Sequence, residues 1–218
     1  MGILFNQGQV CSAGSRIFVQ DTFYDEFVGM MKDAFPKVIV GDPMDPATQM
    51  GAQASESQLN KILDYVRIGT EEGAEIITGG ARYTEGDAAN GYFMQPTLLG
   101  NVNNKMRVAQ EEIFGPVGVV IKFHDIDDLL EMANDSPYGL GGGVFSTDIN
   151  RIMAVARGIR TGRIWVNQYN AFPAGCPFGG YKESGIGRET HKSILDAYSQ
   201  MKNILINLND TPGGMFVR

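Results

Sequence analysis

Apolar positions along the chain change period repeatedly, and the changes mark out alternating strands and helices. Residues 17–20 read as a short strand. Asp21 follows with a side chain able to cap a helix, and Tyr24, Phe27, Met31 and Phe35 then fall at helical spacing until Pro36 stops it. Residues 38–40 form another short strand, closed by the turn residues of Gly41-Asp42-Pro43 and Asp45-Pro46. Ser55 opens a second helix that carries Leu59, Ile62, Leu63 and Val66 on one face and stops at Gly73. Residues 75–78 are a strand, and 79–91 a polar loop. Val117 through Phe123 is a strong β-branched run, and Asp125 opens a helix over 126–133. A strand over 142–146, a helix over 148–157 and a strand over 164–167 with the only tryptophan, Trp165, continue the alternation. After a loop rich in Gly, Pro and Phe come a helix over 188–200, an alternating strand over 203–208 and a tail from Thr211.

Strands alternating with helices predict an α/β fold, with helices on both faces of a mostly parallel sheet. No internal repeat, low-complexity tract or interdomain linker interrupts it. Ile3-Leu4-Phe5 begins the chain as an apolar cluster with no cap before it, as if a longer helix were cut. The strand over 203–208 stands apart from the alternating units, and an unpaired strand seeks an edge, often on another subunit. The chain reads as a piece of something larger.

Composition narrows the classes of function. The sequence holds 218 residues, 43% hydrophobic and 20% charged, enough for one good-sized core. A net charge of −7 from dispersed acidic residues argues against nucleic acid as a partner. No apolar run approaches a membrane span, and the first residues lack the pattern of a secretory signal. Two cysteines, Cys11 and Cys176, suit free thiols in a reducing compartment, so the expected location is cytoplasmic.

Cys11 is the first candidate for chemistry. It lies in Phe5-Asn6-Gln7-Gly8-Gln9-Val10-Cys11-Ser12-Ala13-Gly14-Ser15-Arg16, among small residues that leave a thiol reachable and let backbone N–H groups approach a reacting atom. The alternative is a buried structural cysteine. Glu111-Glu112-Ile113-Phe114-Gly115-Pro116 sets two carboxylates and an aromatic ring before a strand, where they can meet ribose hydroxyls and a flat ring, or form a solvated acidic turn with Phe114 in the core. The glycine-rich run from Pro177 to Glu189 invites a phosphate reading. It has neither Walker nor dinucleotide spacing, and Gly139 with residues 141–143 runs in the wrong order, so no dinucleotide phosphate loop is expected here. His124 and His191 are the only histidines, and neither is spaced as a metal ligand, so no metal is expected. A cofactor-free thiol hydrolase pairing Cys11 with His191 remains an alternative.

Taken together, residues 5–16, 111–117 and 177–189 resemble the NAD(P)-dependent aldehyde dehydrogenase superfamily in order and approximate spacing. The similarity runs from Gly2 to at least Leu208, over the C-terminal, nucleophile-bearing part of that fold. Gly51-Ala52-Gln53-Ala54-Ser55 and Gly185-Ile186-Gly187-Arg188-Glu189 look like the branch acting on acetaldehyde and other short aliphatic aldehydes. The resemblance implies Cys11 as catalytic nucleophile. It implies Glu112, Phe114, Gln58 and Lys61 as contacts to NAD or NADP, and Val10, Ser12, Phe172 and Phe178 as walls of the aldehyde pocket. Asn167 becomes a supporting residue. Lys202 through Leu208 becomes the strand that pairs across subunits of a homo-oligomer.

The same resemblance divides the chain into a catalytic domain over 1–180 and a C-terminal helix, oligomerisation strand and tail over 181–218. Family members are about twice as long. The phosphate-binding loop, the oxyanion asparagine and the general-base glutamate match nothing here, so the N-terminal cofactor-binding domain is expected to be absent from this chain, with a separate N-terminal polypeptide as one source of it. Alone, the chain is expected to be poorly active, or an inactive self-associating fragment.

Overall fold

The structure is a computed structural model and describes residues 2–210. Its centre is a four-stranded sheet in the order β1, β4, β3, β2, built from β1 (Arg16–Gln20), β2 (Glu75–Thr78), β3 (Thr97–Gly100) and β4 (Val117–Phe123). β1 and β3 run parallel to β4 on either side of it, with Arg16 beside Val119 and Thr97 beside Val117, while β2 closes one edge antiparallel to β3. Five consecutive residues of β4 are buried, as expected of a strand covered on both faces.

Two helices supply that cover. Side chains alternate across a strand, so neighbouring residues enter opposite layers. Leu99, Val119 and Ile121 pack with Leu59, Ile62 and Val66 of α2 (Glu56–Glu71). Leu98 and Val120 pack with Val19, Phe35 and Tyr24, the last from α1 (Asp21–Ala34). Each fully buried Leu, Ile or Val stabilises the fold by about 1.5–3 kcal/mol. The expectation of an α/β fold with a mostly parallel sheet and helices on both faces is met.

α3 (Arg107–Gln110) joins β3 to β4, and α4 (Ile126–Asn134) follows β4. Beyond it, β5 (Tyr138–Gly139) pairs antiparallel with β8 (Tyr181–Lys182). β6 (Gly141–Val144), α5 (Ile149–Gly158) and β7 (Arg163–Val166) form a parallel crossover unit, with Gly143 beside Trp165. Cations bind the C-terminal carbonyls of α4. Arg16 donates to the carbonyls of Met132 (3.0 Å) and Ala133 (2.8 Å) and to Asn104 Oδ1 (2.9 Å), and Lys182 Nζ donates to those of Asn134 (2.7 Å) and Ser136 (2.9 Å).

Four expectations change. Residues 38–40 make only a single bridge, Val40 to Met50, because the turn at Gly41 leads the chain away. Asp21 is the first helical residue rather than the cap. Its carboxylate accepts from the Thr22 amide (2.7 Å) and contacts His124 Nδ1 (2.7 Å). The helix over 188–200 shrinks to α6 (Ile194–Ala197). Glu189 is bridged to Phe178 instead, and Thr190 sits at φ 58°, outside helical geometry. Residues 203–208 have no ladder partner among the described residues and are exposed, since an extended segment becomes a strand only against an edge. The tail from Thr211 lies outside the described residues.

Candidate active site

Cys11 projects from a tight turn just before β1. The Ala13 amide donates to the Val10 carbonyl (2.9 Å), and the Gly14 amide to that of Gly2 (2.9 Å). Cys11 is exposed and its thiol is free, which removes the buried structural alternative. The Cys11 amide donates to no acceptor among the described residues. Ser12 beside it is only 3% exposed, and its hydroxyl has no partner among the described residues.

Two structural arms hold this turn. In the first, Gly8 has φ 74° and lies so close to the Gly115 carbonyl that a Cβ would collide with it. Gln9 Oε1 accepts from the Ala54 amide (2.9 Å), two residues before α2. Ser55 caps α2 by accepting from the Gln58 amide (3.2 Å). One turn in, Gln58 Nε2 donates to the carbonyls of Ile113 (3.1 Å) and Phe114 (2.8 Å). Phe114 is held at φ 59°, an uncommon conformation for an aromatic residue.

The two carboxylates of this turn have different fates. Glu111 accepts from Tyr65 Oη (2.7 Å) and from Arg107 Nε (2.8 Å) and Nη2 (2.9 Å). The Arg107 hydrogen bonds, then that of Tyr65, lower its pKa to about 2. Glu112 is exposed and has no hydrogen-bond partner among the described residues. Lys61 Nζ lies 5.9 Å from the centre of the Tyr65 ring.

The second arm is aromatic and comes from the segment after β7. Tyr169 Oη donates to the Ser12 carbonyl (3.0 Å), and burial pushes its pKa up to about 12. Its ring lies 4.7 Å from that of Trp165. Trp165 lies 5.5 Å from Phe172, and Phe172 lies 5.2 Å from Phe178, both edge-on. Arg163, Trp165, Gln168, Phe172 and Cys176 help line a cavity of about 760 Å³. Asn167, at φ 52°, clasps Ser146 by accepting from its amide (3.0 Å) and donating to its carbonyl (3.0 Å).

Sequence reasoning missed Tyr169 and Arg163, because neither belongs to a recognisable local pattern. The glycine-rich run is occupied by the chain itself. Gly179 abuts the Gly187 carbonyl, and Arg188 Nη1 donates to the carbonyls of Gly180 (2.9 Å), Ile186 (3.0 Å) and Gly187 (2.9 Å). His191 Nδ1 accepts from the Ser193 amide (3.2 Å) and makes no hydrogen bond with Cys11. The structure therefore does not assemble the Cys11–His191 pair of the hydrolase alternative.

An exposed cysteine on a turn between an α/β sheet and an aromatic segment defines a class of thiol-bearing α/β proteins. The sequence profile of the aldehyde dehydrogenase family matches residues 1–204, and the chain belongs to that family. Aldehyde dehydrogenase B of Escherichia coli (strain K12) is 49% identical over 213 residues, 97% of this chain and 41% of that protein. Betaine aldehyde dehydrogenase of Staphylococcus aureus, solved in complex with NAD+, is 42% identical with a TM-score of 0.94 over 100% of this chain and 43% of that one. An aldehyde dehydrogenase of Bacillus cereus, also solved with NAD+, is 41% identical with a TM-score of 0.90 over 95% of this chain and 42% of that one. The chain spans about two fifths of the length of these relatives.

Proposed function

We propose that this chain is the catalytic portion of an NAD(P)-dependent aldehyde dehydrogenase that oxidises short aliphatic aldehydes to carboxylic acids. The observation that carries the proposal is the exposed Cys11 thiol, held on its turn by Tyr169 and Gly8 beside its own amide, which has no acceptor among the described residues. The Cys11 thiolate attacks the aldehyde carbon, forming a C–S bond and placing negative charge on the former carbonyl oxygen. The Cys11 N–H supplies half of the oxyanion hole, and one such donor is worth about 10²–10³ in rate. Val10, Ser12, Phe172 and Phe178 wall the aldehyde pocket, and Asn167 supports it through Ser146.

The residues around the 111–116 turn fit a nicotinamide nucleotide. Gln58 fixes the turn through two carbonyls, leaving the Glu112 carboxylate exposed and without a partner among the described residues, free for ribose hydroxyls. Phe114 and Lys61 would flank the same group. When bound, NAD or NADP accepts a hydride from the carbon held on sulfur, which becomes a thioester. Water then cleaves the thioester, releasing the acid and restoring the thiol.

Residues 1–180 are assigned to the catalytic domain and 181–218 to the C-terminal segment, whose residues 202–208 pair with a second copy. The protein is assigned to the cytoplasm. Among the described residues no helix is long and apolar enough to cross a membrane. The test is acetaldehyde-dependent NADH formation beside a Cys11→Ala control, with turnover expected to vanish in the control. The alternative reading is a self-associating protein whose exposed Cys11 has thiol reactivity alone. That reading predicts no NADH while Cys11 still reacts with iodoacetamide.

A further inference from the structure

Three side chains of α2 meet the 111–116 turn in succession. Gln58, Ile62 and Tyr65 stand at positions i, i+4 and i+7 of that helix, so they share one face. Tyr65 Oη donates to Glu111 Oε2 (2.7 Å) at the start of the turn. Ile62 packs with Ile113 and fills the space that a Cβ on Gly115 would need. Gln58 Nε2 holds the carbonyls of Ile113 (3.1 Å) and Phe114 (2.8 Å). Anchors at Glu111 and Ile113 therefore flank Glu112, which is itself exposed and without a hydrogen-bond partner among the described residues.

Tyr65 also gathers charge. Its half-buried ring packs against the core beneath α2, with Arg107 Cζ 5.8 Å and Lys61 Nζ 5.9 Å from its centre. Arg107 completes the hold on Glu111 through Nε (2.8 Å) and Nη2 (2.9 Å). Burial, then the bond to Glu111, raises the Tyr65 pKa above its ordinary value, so the hydroxyl keeps its proton at neutral pH and donates. One of two adjacent carboxylates is thus spent on anchoring, and the other is left for a ligand. A single tether would let the backbone at Glu112 swing, whereas a hold on both sides sets the carboxylate before a diol arrives. We propose that Tyr65 is a positioning residue for the nicotinamide nucleotide, acting through Glu111 to fix Glu112 and through its ring to steady Lys61. The proposal rests on the reading of Glu112 and Lys61 as nucleotide contacts, and it names the residue that sets their geometry.

Tyr65→Phe removes the hydroxyl and keeps the ring, so it isolates the bond to Glu111. Amide hydrogen exchange without nucleotide, read by mass spectrometry, compares the peptide over 107–116 with that over β4. The expected result is exchange over 107–116 faster by about five-fold or more, with β4 unchanged, because only the turn opens. Glu111→Ala should speed the same peptide, and adding Tyr65→Phe to it should speed it no further, since the hydroxyl then has nothing to hold. With NAD and acetaldehyde, Tyr65→Phe should raise KM for NAD by about three-fold or more and leave kcat within about two-fold. The proposal is overturned if exchange over 107–116 stays as it was, if β4 speeds up equally, or if the two substitutions add. A KM for NAD that does not move would overturn it as well. Absence of NADH formation by the unaltered protein would instead sink the dehydrogenase assignment, and the exchange comparison would still decide whether Tyr65 holds the turn.

Discussion

Tyr169 donates its hydroxyl proton to the backbone carbonyl of Ser12, 3.0 Å away, across 157 positions of sequence. The bond ties the aromatic segment directly to the residue after Cys11. Tyr169→Phe should keep the ring against Trp165 and leave the Ser12 carbonyl without its donor, costing about 1–3 kcal/mol. A lower urea midpoint together with an altered rate of Cys11 alkylation would bear this out, and an unchanged alkylation rate would contradict the coupling. Burial raises the Tyr169 pKa to about 12 from an ordinary value of 10.0. The unfolded chain therefore loses this proton first. The contribution is full below pH about 10 and is lost as pH rises towards 12, so Tyr169→Phe should flatten the alkaline limb of a stability profile.

Gln58 joins α2 to the 111–116 turn through two carbonyls. Gln58→Leu preserves bulk but removes both donors, at a cost of about 1–3 kcal/mol. On the proposed function, KM for NAD should rise while alkylation of Cys11 in the absence of nucleotide stays as it was. Equal changes in both would show that Gln58 acts only through global stability.

Glu111 has its pKa lowered to about 2 by Arg107 and Tyr65. A lowered carboxylate pKa stabilises the fold above the unfolded value and loses that contribution as pH falls through the folded one. Glu111→Gln should therefore flatten the acid limb between about pH 4.5 and 2. Because the pair is exposed, solvent and salt screen it, and the difference should shrink as ionic strength rises.

Arg16 binds two carbonyls at the end of α4 and the side chain of Asn104. Arg16→Met should destabilise by about 2–4 kcal/mol, since those acceptors lose a charged donor. Guanidinium chloride unfolding of the variant measures this, and a midpoint within error of the parent would sink it.

Gly8→Ala should be the most damaging conservative change near the thiol. It places a Cβ at φ 74° and into the Gly115 carbonyl. The turn must shift, so Cys11 alkylation should change even in molecules that remain folded by circular dichroism.

Local signals were legible where one residue settles the geometry. Ser55 and Asp125 open their helices as the sequence suggests, and Asp148, read as helical, proves to be a cap as well, each accepting an amide hydrogen bond from the following turn. The β-branched run from Val117 becomes the doubly covered strand β4. β3 was not legible, because Thr97, Leu98, Leu99 and Gly100 are too few to show a period and lack strand-forming bulk except at Thr97. The helix expected over 188–200 was misread because its apolar spacing is local, whereas the bridge of Glu189 to Phe178 that breaks it is not. Within the candidate site, Cys11, Glu112 and Phe114 stand out as motif residues, whereas Gln58 follows only from the family resemblance. Tyr169 and Arg163 act through partners that only the folded chain brings near.

The parallel pairing of β1 with β4 sets Arg16 beside Val119, strands that lie far apart in sequence. Such a contact forms late, because a long loop must close before any ladder bond can form. Cys11 sits at the mouth of that strand and takes its shape from it. An unfolded or collapsed chain would thus carry an ordinary thiol, and the onset of site-like reactivity during refolding would time the docking of β1 onto the sheet.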